Sequence, residues 1–210
     1  MKLQIALDTL SLDEALALLH EIADQLDIIE VGTPFIIEEG LRPVRIFKGK
    51  YPDIAVLADV KIMDAGYYEA KKCFAAGADI VTVLAVAYDE TIRGAVEAAK
   101  EYDREIMVDM IGVKDLENRA KELEAMDVDY ICVHTAFDIQ SDQVNPLKEL
   151  EVINNTLKKT KVAVAGGLKL NTISQVINLG ADVLVVGGGI INEKDRLATT
   201  IKIKELIKNE

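Results

Sequence analysis

Asp59, Lys61 and Asp64 end the apolar run of IAVLADVKIMDA (54–65), placing two carboxylates and an ammonium close together in the chain. Side chains two residues apart on an extended strand project from one face, so Asp59 and Lys61 share a face with Ala55 and Leu57. The pair can be an ion pair at a strand end, with Asp64 capping a helix that starts at Ala65. It can equally be the acid/base and charge-stabilising part of an active site. Other runs in the chain have to break the tie.

Four of them also carry ionisable side chains at or near their ends: LQIALD ends in Asp8, DIIEVG contains Glu30, EIMVD ends in Asp109 and DYICVH in His134. Parity puts Asp8 on the face of Gln4 and Ala6, Glu30 with Ile28, Asp109 with Met107 and His134 with Cys132. Singly, each has a structural explanation: a turn or cap for Asp8, an ion pair with Lys61 for Glu30, a cap before Gly112 for Asp109, and a hydrogen-bonded core histidine for His134. Gathered in one place, four carboxylates would repel one another unless a cation, a bound substrate or shifted protonation offset them. Hard carboxylate donors with no His/Cys cluster make magnesium or manganese the expected cation. Two later runs end in glycine, VAVAGGLK at Gly166 and Gly167 and VLVVGGGI at Gly187, Gly188 and Gly189. These are tight turns or a backbone cradle for a phosphate monoester.

The elements that must position these residues recur. Short apolar runs begin near Leu3, Ile28, Ile54, Ile80, Ile106, Ile131, Val162 and Val183, a repeat of roughly 26 residues. Helical periodicity fills the gaps, as in LDEALALLHEIADQL, YYEAKKCFAAG, DETIRGAVEAAKEY and DLENRAKELEAM. Eight strand-then-helix units predict a (β/α)8 TIM barrel in the α/β class, a single domain over residues 1–210. In that fold the strand ends form one mouth, and the loops after strands seven and eight are the usual phosphate site. Ser11 with Glu14 forms a capping-box pattern, and Gly77 and Gly180 sit where helices should stop. Pro43 and Pro52 break or end helix, so the second connection is expected to be the least regular.

Composition narrows the function classes. The 24 basic and 36 acidic residues leave a net charge of -12, with no Lys/Arg cluster to track a nucleic-acid backbone. Acidic stretches at Glu97–Glu105 and Glu117–Glu124 are expected to be solvated helix faces. No apolar run reaches the length of a membrane span and the N-terminus lacks a secretory pattern, so a soluble, cytoplasmic protein is expected, with no nucleic acid or membrane partner. Cys73 and Cys132 lack metal-ligand spacing and are expected to be buried free thiols.

The motif DVKIMDAG (59–66) resembles the D-x-K-x-x-D signature of the orotidine 5'-phosphate decarboxylase superfamily. IEVGTPFI, VDMIGVKDLENRAKEL, VHTAFDIQ, VAVAGGLK and VVGGGI are most similar to the 3-hexulose-6-phosphate synthase family within it. The resemblance covers essentially the whole chain. It implies a carbohydrate aldehyde-lyase of the ribulose monophosphate pathway, which joins formaldehyde to D-ribulose 5-phosphate through an enediolate. It further implies magnesium held by Glu30 and Asp59, with Lys61 at the enediolate oxygen. Asp8 would bind substrate hydroxyls, His134 would move the C1 proton, and Asp64 would be lent across a homodimer interface. An enediolate beside a cation and a histidine is chemically coherent. The alternative, 3-keto-L-gulonate-6-phosphate decarboxylase, has a glutamate at Asp109, an arginine at Phe137 and another within 187–190. Orotidine decarboxylation fits less well, because AGYYEA follows Asp64. A non-catalytic sugar-phosphate-binding barrel would have no need of Asp59, Lys61, Asp64 and His134 together.

Overall fold

In the computed structural model, the apolar runs pair in sequence order as parallel strands and close on themselves, β8 returning to β1. The strands are β1 (Lys2–Leu7), β2 (Ile28–Val31), β3 (Ala55–Ile62), β4 (Ile80–Leu84), β5 (Glu105–Asp109), β6 (Tyr130–His134), β7 (Lys161–Ala165) and β8 (Val183–Val186). The expected (β/α)8 barrel is therefore the fold. Residues 1–139 and 146–208 are described; 140–145, which include Gln140 of the HTAFDIQ segment, and 209–210 lie outside the described residues. Among the described residues no helix is long and apolar enough to cross a membrane.

Around the barrel run α1 (Leu12–Ile22), α2 (Thr33–Glu39), α3 (Arg42–Lys50), α4 (Gly66–Ala75), α5 (Asp89–Tyr102), α6 (Leu116–Ala125), α7 (Leu147–Thr156), α8 (Leu170–Asn178), α9 (Gly188–Ile191) and α10 (Arg196–Lys208). The capping box is present, with Glu14 Oε2 accepting from Ser11 N–H and Ser11 Oγ from Glu14 N–H. The second connection is split into α2 and α3 at Gly40, as the one after β8 is split into α9 and α10. Pro43 does not break helix there. It lies in the first turn of α3, where a missing N–H costs nothing.

Because strand side chains alternate, one set faces the helices and the other fills the barrel in layers of four. Above Tyr130, Ile28, Ile80 and Val183 lie Gln4, Leu57, Met107 and Ala163, and then Glu30, Thr82, Cys132 and Val185. The layer of Ala6, Asp59, Asp109 and Ala165 follows, so polarity rises toward the C-terminal mouth. At the floor the Tyr130 hydroxyl meets Lys2 Nζ at 3.2 Å, Glu105 at 3.2 Å and Lys161 Nζ at 3.4 Å. That polar plug closes the opposite end.

The stagger of strands is held by a four-fold device that the repeat alone did not reveal. The residue before each even strand is an aspartate, and its carboxylate accepts from the second N–H of the preceding odd strand. The bonds are Leu3 N–H to Asp27 (2.7 Å), Val56 to Asp79 (2.8 Å), Ile106 to Asp129 (2.8 Å) and Val162 to Asp182 (2.7 Å). Each aspartate N–H donates back to the carbonyl of the same residue, and each aspartate carbonyl accepts from the first N–H of the next odd strand. These clamps add one rung to alternate strand pairs and satisfy donors that would otherwise end unpaired.

Asp182→Ala should lower the unfolding free energy by about 1–3 kcal/mol in urea denaturation, the cost of an unmet buried donor. Asp182→Asn, which keeps an acceptor oxygen, should cost less. An unchanged midpoint for the alanine protein would show that the clamp is dispensable.

Candidate active site

Lys61 holds the centre of the mouth. Its Nζ lies 2.5 Å from Asp59 Oδ2 and 3.4 Å from Asp109 Oδ2, and the second of these carboxylate oxygens lies 2.8 Å from His134 Nδ1. Asp59, Lys61, Asp109 and His134 thus form one connected chain across the barrel, drawn from β3, β5 and β6. Asp59 and Asp109 are 4% and 3% exposed. Asp59 is gripped further: Thr33 Oγ1 donates to Oδ2 at 2.8 Å and Thr82 Oγ1 to Oδ1 at 2.8 Å. Asp109 Oδ1 also accepts from Ile111 N–H at 2.9 Å, so the turn-capping role exists alongside the histidine contact. Glu30 is buried beneath, its Oε2 accepting from Gln4 Nε2 at 2.6 Å. The Glu30–Lys61 ion pair that would have given Glu30 a purely structural role is not formed, because Lys61 is taken up by the two aspartates.

Proton affinities follow from this arrangement. Burial would strip the Lys61 proton, but Asp59 and Asp109 outweigh it and hold the ammonium well above the ordinary lysine range. Burial likewise favours a neutral Asp109, but the His134 hydrogen bond and charge, with Lys61, pull it below the usual carboxylate value. Glu30 and Asp8 move the other way, raised first by burial and then by the Asp59 charge. The crowded carboxylates are thus driven in opposite directions, Asp109 toward its ionised form and Glu30 and Asp8 toward their neutral ones. A His134 that donates Nδ1–H to ionised Asp109 leaves Nε2 as the ring nitrogen able to exchange a proton.

The lining of this narrow cavity, about 30 Å³, brings together Glu30, Asp59, Lys61, Asp109 and His134. Asp8 stands at its rim against Gly32 and Gly187, where an added Cβ would lie 2.0 Å and 3.9 Å from its carboxylate oxygens. Asp64 does not join them. It is exposed, its Oδ1 accepts from Ala65 N–H, and α4 starts at Gly66 with Ala65 in a left-handed conformation, one residue later than expected. Phe137 is 84% exposed in a 3-10 turn beyond β6, outside the cavity lining. A larger open groove, about 980 Å³, runs beside the mouth between the loops after β4 and β5. Its one guanidinium, Arg119, is consumed by Ala85 O, Ala87 O, Asp89 and Glu122, whereas the connected chain from Asp59 to His134 lines the narrow cavity.

The glycine loops after β7 and β8 lie against each other. A Cβ on Gly189 would fall 2.3 Å from Leu168 O, and one on Gly166 2.4 Å from Thr135 O. Gly166 and Gly167 have φ of 101° and 67°. Close packing and positive φ thus explain part of the glycine pattern, as tight turns would. Gly187 opens the short α9, whose first N–H groups have no intrahelical partner.

Glu30 and Asp59 suit a hard divalent cation chemically, and Gln4 Oε1, in the same lining, is a buried oxygen with no partner. Among the described residues no group of three or more His, Cys, Asp or Glu is arranged to hold a metal ion. Two carboxylates completed by water and substrate oxygens is a usual magnesium arrangement. The residues fit. Cys73 and Cys132 are buried free thiols, both raised by burial, Cys73 to about 12.

Three side chains that shape this site escaped the sequence reading: Gln4, Thr33 and Thr82. The available signal was parity, since Gln4 and Thr82 are polar residues on the inward face of otherwise apolar strands.

The chain is similar to known proteins over essentially its whole length. A family model described as the orotidine 5'-phosphate decarboxylase / HUMPS family matches residues 1–203. The 3-hexulose-6-phosphate synthase of Bacillus subtilis (strain 168) is 51% identical over 207 residues, covering 99% of each chain. The crystal structure of 3-hexulose-6-phosphate synthase from Salmonella typhimurium superposes with a TM-score of 0.97 at 42% identity, over 100% of this chain and 99% of its own. The crystal structure of KGPDC from Streptococcus mutans gives 0.87 at 25% identity, over 99% of this chain and 97% of its own.

Gly189→Ala should cost roughly 1–3 kcal/mol in stability, because its Cβ meets backbone. Gly188→Ala, whose Cβ meets only the Asn192 side chain at 3.0 Å, should cost clearly less. Equal unfolding midpoints for the two would refute the packing of the two loops.

Proposed function

The chain belongs to the orotidine 5'-phosphate decarboxylase / HUMPS family, and on that premise we propose that it is a 3-hexulose-6-phosphate synthase. The reaction is the reversible aldol condensation of formaldehyde with D-ribulose 5-phosphate to 3-hexulose 6-phosphate. The observation that carries the proposal is the chain from Asp59 through Lys61 and Asp109 to His134 at the mouth, alongside relatives of that name over the full length.

His134 Nε2 takes the C1 proton of the ketose, while Asp109 holds Nδ1–H and favours the imidazolium that results. The Lys61 ammonium, kept protonated by its two aspartates, stabilises the enediolate oxygen. Carbon C1 then attacks formaldehyde; a C–C bond forms, and the new alkoxide takes a proton back from His134. Asp8 binds substrate hydroxyls, and the backbone N–H groups near Gly167, Gly188 and Gly189 bind the phosphate. Glu30 and Asp59 would hold magnesium, or manganese, which supplies positive charge to the enediolate oxygens. Phe137 is exposed, so selectivity against decarboxylation rests on the absence of the two arginines that the decarboxylase carries.

Formaldehyde should be consumed with ribulose 5-phosphate and magnesium faster than carbon dioxide is released from 3-keto-L-gulonate 6-phosphate. His134→Ala should lose aldol activity and C1–H exchange into deuterated water by roughly 10²–10⁴-fold. Exchange at the parent rate would remove histidine as the base. Carbon dioxide release without formaldehyde uptake would instead favour the decarboxylase.

The proposal includes a homodimer in which Asp64 completes the neighbouring site. In support, Asp64 stands outside its own cavity, flanked by exposed Met63 and Tyr68. Mixed Asp64→Ala and Lys61→Ala proteins, each inactive, should regain part of the activity once subunits exchange. No recovery despite demonstrated exchange would place Asp64 in its own chain's chemistry.

A further inference from the structure

The pairing of β3 with β4 is interrupted where the reactive groups lie. Ala58 is opposite Val81, yet the next matched pair is Ile62 with Val83, so Asp59, Val60 and Lys61 stand against Thr82 alone. A bulge leaves ladder groups without backbone partners and turns side chains aside. Here Lys61 adopts φ 48°, a left-handed conformation that L side chains avoid. Its N–H is met by Thr82 Oγ1 at 2.9 Å, and the same hydroxyl donates to Asp59 Oδ1 at 2.8 Å. A hydroxyl can accept and donate at once, so one side chain ties the backbone of Lys61 to the carboxylate of Asp59. Thr82 is 4% exposed, leaving no solvent to substitute for either bond.

We propose that Thr82 is a positioning residue, which pins the β3 bulge so that the Lys61 ammonium stays between Asp59 and Asp109. Its hydroxyl is consumed by Asp59 and Lys61, so its effect passes through those two side chains. Without it, the Lys61 backbone is free to leave the left-handed region, and Nζ loses its fixed distance to the aspartates. An ammonium displaced by about 1 Å from a developing oxyanion can cost 10²-fold in rate. Binding of the sugar phosphate, by the glycine loops and Asp8, is made elsewhere. The loss therefore falls on turnover and spares affinity.

The proposal rests on the aldol assignment above for its kinetic arm, while amide hydrogen exchange at Lys61 reads the pin directly. Thr82→Val removes the hydroxyl at nearly constant shape; Thr82→Ser keeps it. At saturating magnesium, kcat of the valine protein should fall about 10–10²-fold with KM within about 3-fold, and the serine protein should stay within about 3-fold of the parent. The Lys61 amide should exchange faster in the valine protein and at the parent rate in the serine protein. Should valine fail to fold, Thr82→Ala, which adds no bulk, makes the same comparison. Unchanged Lys61 exchange and unchanged kcat without the hydroxyl would overturn the pin, as would a serine protein no better than valine. A parent chain inactive toward formaldehyde would refute the aldol assignment instead, with the exchange comparison still deciding the role of Thr82.

Discussion

Everything at the mouth of this barrel depends on strand register, and register is held at the floor by four aspartate carboxylates that each grip an N–H of the preceding strand. A slip of one residue would exchange inward and outward faces throughout a strand. Asp59, Asp109 and His134 would then face the helices, and Leu57, Met107 and Cys132 would leave the interior with them. The clamps at Asp27, Asp79, Asp129 and Asp182 oppose that slip at alternate strand junctions. The barrel interior can then change steadily from apolar layers to a polar one, because each strand's height is set from below.

The polar layer is a problem of charge as much as of geometry. Asp8, Glu30, Asp59 and Asp109 crowd around one lysine, and burial makes each anion costly. The protein separates them by environment. Asp109 is kept ionised by His134 and Lys61, while Glu30 and Asp8 are pushed toward their neutral forms. Groups with opposed proton affinities side by side are what proton transfer and anion stabilisation require. A bound divalent cation and a sugar phosphate would shift this balance, and the buried, unpartnered Gln4 Oε1 lies in the same lining. The fold alone would not distinguish these chemistries, since barrels of this kind serve many reactions. Assignment rests on side chains at strand ends.

Much of this was legible in the chain itself. The spacing of apolar runs located all eight strands to within a residue of their observed starts, since a buried strand and a covering helix impose different periods. Parity correctly placed Glu30, Asp59, Asp109 and His134 toward the interior, because alternation in a strand is a local property. Asp64 and Phe137 lie beyond regular strand, where no period constrains direction, so the exposure of Phe137 was not readable and that of Asp64 was implied only by the family resemblance. Pro43 was misjudged because only its place in the first turn of α3 distinguishes a helix breaker from a helix starter.

The sequence by itself determined the fold class, the repeat, and which ionisable residues sit at strand ends, because those follow from local periodicity. Partnership was decided only by the tertiary structure. That Lys61 reaches across to Asp109 and not to Glu30, that His134 leans on Asp109, and that Thr82 fills the β3 bulge are contacts between different strands, far apart in the chain. The same holds for the aspartate clamps, whose carboxylates find their donors only when neighbouring strands lie side by side. Distances across a barrel depend on stagger and closure, which belong to the whole sheet and to no single segment.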